Sequence, residues 1–106
     1  MPKTPRRLPE TLRAFQAKFP RIWSQYRALR DACDQAGPLS PKTRELIKIG
    51  IEVAKKRHGG LVAHITRARR TGASKTEIYQ ALLLAAPLIG IPDVLDAFLV
   101  AKRKLG

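Results

Sequence analysis

The side chains of this chain that could move protons or form covalent intermediates are few: two histidines, eight carboxylates and a single cysteine. Cys33 has no second cysteine with which to close a disulfide, and one thiol is too few for a cysteine-based zinc site. His58 and His64 are six residues apart, poor spacing for two ligands on one helix, so no metal site is expected. Glu45 and Glu52 are seven apart and share a helix face. They can line one cleft, or Glu52 can pair with Lys48 or Lys56 at i,i+4. Glu45 falls in the first turn of its helix, where a carboxylate is favoured by the helix dipole alone. His64 lies beside Leu61 and Ile65 at the edge of an apolar stripe, where a packed or hydrogen-bonded histidine is the ordinary occupant. Gly59-Gly60 matches no phosphate-binding loop and reads as a turn.

Helices must position these residues, because the apolar spacing is helical throughout and no stretch alternates as a strand does. Leu12, Phe15 and Phe19 mark a short first segment stopped by Pro20. Ile22, Trp23, Tyr26, Leu29 and Cys33 line a second helix that ends at Gly37-Pro38, with Cys33 read as a packed, structural residue. Ser40 as N-cap and Pro41 at the first helical position open a third, carrying Leu46, Ile49, Ile51 and Val53 to about Arg57. A fourth follows Gly59-Gly60, with Leu61, Ile65 and Ala68 on one face and Gly72 as its stop. Ser74-Lys75-Thr76-Glu77 is a capping box opening a fifth through Ile78, Leu82, Ala85, Ala86 and Ile89, kinked or ended at Pro87. Leu83, Leu84 and Leu88 make that helix apolar on nearly all sides, so a second subunit is the expected cover. Gly90-Ile91-Pro92 turns into a last helix with Val94, Leu95, Phe98 and Leu99 facing inward and Lys102-Arg103-Lys104 meeting its C-terminal dipole. The expectation is six helices and no sheet.

At 106 residues, 44% of them hydrophobic, the chain is sized for one domain. A domain this small buries only about two-thirds of its unfolded surface, which favours oligomerisation. Twenty-one Lys and Arg against eight Asp and Glu give a net charge of +13. Such a field attracts polyanions, and nucleic acid is one candidate partner. The charge is spread over every helix, however, as on solvated faces, and no aromatic-plus-basic nucleic-acid motif occurs. No apolar run is long enough to span a membrane, and no apolar signal core follows Arg6-Arg7. A cytoplasmic protein is expected.

Four pieces in order, Arg44-Glu45-Leu46-Ile47, Leu61-Val62-Ala63-His64, Gly72 to Ile78, and Gly90-Ile91-Pro92, make the chain resemble the carboxymuconolactone decarboxylase and alkylhydroperoxidase-D-like family over roughly residues 15–102. The resemblance implies an oligomeric, single-domain, all-α six-helix bundle, here residues 15–106 behind a basic arm and the start of the first helix at 1–14. Family assemblies are dimers, trimers or hexamers. Redox members carry a glutamate, then Cys-x-x-Cys, then a histidine; laid on this chain from Glu45, the cysteine positions fall at Arg57 and Gly60 and the histidine at His64. The acid and the imidazole are present and both thiols are missing. Thiol peroxidase or disulfide reductase chemistry needs a thiolate and a resolving thiol, so it is disfavoured. The decarboxylase branch needs neither thiol pair, metal nor cofactor. By that likeness Glu45 and His64 form a catalytic proton-handling pair, with Arg57 and Glu52 as substrate-binding residues for a small anionic lactone or carboxylic acid. The other reading is a non-catalytic helical module whose basic surface meets nucleic acid or another polyanion.

Overall fold

Proline sits in the first turn of most of the helices, and no strand occurs among the described residues. The computed structural model describes the backbone of residues 4–106 and the side chains from Glu10 onward. Residues 1–3 of the basic arm, and the side chains of Arg6 and Arg7, lie outside the described residues. The chain divides into two compact units, Met1–Pro38 and Leu39–Gly106. Among the described residues the fold is all-α, with six helices of nine residues or more and one single-turn helix.

In the first unit α1 (Thr4–Lys18) and α2 (Pro20–Asp34) are separated by Phe19. Pro20 opens α2, where its missing N–H breaks no helical bond. Aromatic rings gather at the corner: Phe15 lies 5.3 Å from Phe19 and 6.2 Å from Trp23, and Trp23 lies 5.2 Å from Tyr26. Still, α2 buries no residue, and Ile22, Tyr26 and Leu29 stand exposed. Cys33 is exposed too, against the expectation of a packed thiol. Two helices meet along one seam and cannot enclose a side chain on every side.

The second unit holds α3 (Pro41–Ala54), α4 (His58–Arg70), α5 (Lys75–Leu83), α6 (Ala86–Ile89) and α7 (Ile91–Leu105). Ser40 caps α3, its Oγ accepting from the Thr43 N–H at 3.2 Å. The helix stops at Ala54, short of the expected Arg57, because the chain reverses there. The Arg57 N–H donates to the Glu52 carbonyl at 3.0 Å and the Lys56 N–H to that of Val53 at 3.1 Å, the paired bonds of a Schellman turn. Such a turn requires one left-handed residue, and here it is Lys56 at φ 57°. The same device closes α4, with Ala73 donating to Ala68 and Gly72, at φ 98°, to Arg69. Gly59-Gly60 is not the expected turn: both lie in the first turn of α4. The expected long fifth helix is divided, since Pro87 has no N–H to offer the Leu83 carbonyl and instead sits in the first turn of α6.

One core results, built from Ile49 and Val53 of α3, Leu61, Ile65 and Ala68 of α4, Ile78 and Leu82 of α5, and Val94, Ala97 and Ala101 of α7. The α7 face differs from expectation. Val94 is buried, but Leu95, Phe98 and Leu99 are exposed, and Ala97 and Ala101 face inward in their place. Small residues at that seam let α7 lie close against α4, where larger ones would hold it off. No helix among the described residues is long and apolar enough to cross a membrane.

Candidate active site

Glu45 and Glu52 are two turns apart on α3, roughly 10 Å along the axis, and both project toward α4. The reversal through Lys55, Lys56 and Arg57 lays α4 back along α3 as a helical hairpin. That register sets His64 between the two carboxylates. His64 Nδ1 and Glu45 Oε1 are hydrogen-bonded at 2.7 Å. On the opposite edge of the ring, Nε2 lies 3.6 Å from Glu52 Oε2. The three side chains are 13–14% exposed, so water screens them poorly and the interactions are stronger than on the surface. Opposite an ionised carboxylate, which can only accept, Nδ1 must be the ring nitrogen that carries hydrogen and donates.

Arg57, the N-cap of α4, places its Nε 3.8 Å from Glu52 Oε1. It is the most open member of the group, with 59% of its side chain exposed, and marks the solvent edge. Of the two lysines that sequence spacing offered to Glu52, Lys56 instead reaches Asp93 at the start of α7, at 3.7 Å. Glu52 Oε1 is buried without a hydrogen-bond partner. Beneath this carboxylate is Gly60, where a Cβ would come within 2.6 Å of the carboxyl carbon and Oε2. The side chain of Glu52 thus fills space that any side chain at position 60 would need. Sequence reasoning missed Gly60, reading the glycine pair as a turn rather than as the start of α4.

The other residues singled out lie elsewhere. His58 is exposed at the first position of α4. Among the described residues no three His, Cys, Asp or Glu side chains converge as a metal site. A shallow apolar groove of about 510 Å³ opens between α3 and α5–α6, lined by Ile47, Gly50, Ile51, Leu84 and Leu88 among others. At 100° per residue those α3 positions point away from Glu45 and Glu52, so the groove is on the far side of the helix from the imidazole.

The arrangement can hold, orient and pass a proton, and it contains no thiol. The sequence model of the carboxymuconolactone decarboxylase family matches residues 17–103. No curated protein and no solved structure matches the chain.

Proposed function

This chain belongs to the carboxymuconolactone decarboxylase family, and we propose that it performs thiol-free acid–base chemistry at His64 on a small lactone or carboxylic acid. The observation that supports the reading is the 2.7 Å bond between His64 Nδ1 and Glu45 Oε1, made across two helices and largely out of solvent. Glu45 holds the ring in one tautomer and steadies the positive charge that develops when the ring takes a proton. The opposite edge, Nε2, which faces Glu52, is then the atom that exchanges a proton with substrate. Arg57, the most exposed of the group, offers the planar pair of donors that a substrate carboxylate fits. The net charge of +13 draws anions to the surface and raises their encounter rate. Peroxide reduction through thiols has no chemical basis at this site, because positions 57 and 60 are arginine and glycine.

Binding and turnover of small aromatic and lactone acids, read beside thermal melts, test the proposal. His64→Ala and Glu45→Gln should abolish binding or turnover and leave the melting temperature nearly unchanged. If the pair is only structural, the same variants should lose about 1–3 kcal/mol of stability, as a polar group stranded out of water does, with ligand binding untouched. That second outcome refutes the reading.

A further inference from the structure

Glu52 is the anomaly of the site. Its Oε2 faces His64 Nε2 at 3.6 Å, its Oε1 is buried with no hydrogen-bond partner, and its carboxylate rests where a Cβ on Gly60 would be. The Nδ1 edge of the ring is already committed as a donor to Glu45. A neutral imidazole would therefore turn the lone pair of Nε2 toward a carboxylate oxygen. Two acceptors would face each other in a space that is mostly out of water, an arrangement that satisfies neither. A hydrogen on Nε2 removes the conflict. Both ring nitrogens then donate, each toward its own carboxylate, and the charges of Glu45, His64, Glu52 and Arg57 cancel.

We propose that Glu52, admitted by the missing side chain at Gly60, is a positioning residue that keeps a proton on His64 Nε2 ready for delivery to substrate. The inference rests on His64 as the proton carrier and assigns Glu52 to the imidazole rather than to the substrate. On delivery the Nε2–H bond breaks and its electron pair stays on nitrogen. The proton goes to the substrate atom that has gained negative charge, and a solvent proton reloads the ring. Glu52 acts through the imidazole, facing its Nε2, and does not itself touch the substrate. The absence of a Cβ at position 60 is, on this account, what makes room for the second carboxylate.

The test is ring-nitrogen NMR on the full-length chain labelled at histidine, at neutral pH, with His58 assigned by its own substitution. The native protein should show hydrogen on both nitrogens of His64. Glu52→Gln should strip Nε2 of its hydrogen while Nδ1 keeps its own. Gly60→Ala should do the same without altering any ionisable group, because the new methyl displaces a flexible carboxylate and leaves the backbone in place. Glu45→Gln should instead disturb the Nδ1 signal. An unprotonated Nε2 in the native protein, or a Nε2 signal indifferent to both Glu52→Gln and Gly60→Ala, overturns the proposal. Failure here is distinguishable from failure of the acid–base reading: the latter falls if His64→Ala leaves binding and turnover intact, whatever the spectra show.

Discussion

Ser74 and Glu77 close the start of α5 with reciprocal bonds, the Ser74 N–H donating to Glu77 Oε1 at 2.9 Å and the Glu77 N–H to Ser74 Oγ at 3.0 Å. Lys42 of α3 adds a contact to Glu77 Oε2 at 3.0 Å. The Ser74 backbone donor foremost, then the Lys42 ammonium, hold the Glu77 carboxyl below the ordinary value of 4.5. A carboxyl lowered on folding lends its stability above that value and loses it as pH falls through the folded one. Urea unfolding at a series of pH values should therefore show native protein and Glu77→Gln separated by a constant gap at neutral pH, with the gap closing under acid. A gap independent of pH would refute the linkage. Ser74→Ala, which removes the cap itself, should cost about 1 kcal/mol at neutral pH. The missing thiols make a second expectation at this scale: no hydroperoxide turnover with a thiol-regenerating system, and none gained or lost in Cys33→Ser. The cap was legible in the sequence because both partners lie within four residues. Glu45 and His64 were legible only through the family spacing, and the contact of Glu52 with His64 was not legible at all. Twelve residues and a helix reversal separate the last two, and the register of that reversal is not written in either residue.

Lys56 sets that register, and it is the element-scale feature that sequence reading could not supply. Gly72 announced the end of α4 because glycine adopts the left-handed conformation without strain. Lys56 takes the equivalent position after α3 at φ 57°, where a Cβ is crowded against the backbone. Lys56→Gly should thus stabilise the protein by roughly 0.5–1 kcal/mol, the relief of strain exceeding the entropy added to the unfolded chain. Its exposed contact with Asp93 is worth too little to reverse the sign. Chemical denaturation measures it, and a destabilised variant would show that the turn gains more from lysine than it loses. The α4 stripe Leu61, Ile65, Ala68 was readable since polar residues border it on both sides. The α7 face was not, because Leu95, Phe98 and Leu99 stand among Val94, Ala97 and Ala101 and hydrophobicity alone cannot rank them. Packing distance ranks them: the alanines occupy the close seam. Ala97→Leu should accordingly cost about 1–3 kcal/mol through overpacking, although it makes the helix more apolar.

Two opposed properties govern the whole molecule, a net charge of +13 and a set of large apolar side chains turned to solvent. Leu88 is 85% exposed and Leu84 65%, beside Ile47 and Ile51 on the rim of the α3/α5–α6 groove. A contiguous apolar patch of this kind on a small chain marks an interaction surface, and a second copy of the chain is the occupant expected here. Because the groove faces away from His64, association should leave the imidazole and its carboxylates accessible. Like charge opposes the contact: two copies, each at +13, repel at long range, and salt shortens that range to about 8 Å at physiological ionic strength. The apolar contribution is indifferent to moderate salt. Self-association should therefore strengthen as salt is added, the reverse of what an interface held by ion pairs would do. Light scattering at micromolar concentration should report a mass well above the 11.8 kDa of one chain, rising with salt. Leu88→Glu should return it to the single-chain value by placing a desolvated charge in the interface, without changing His64-dependent ligand binding. A strict monomer at every salt and protein concentration would leave these leucines exposed for another partner and refute self-association through the groove.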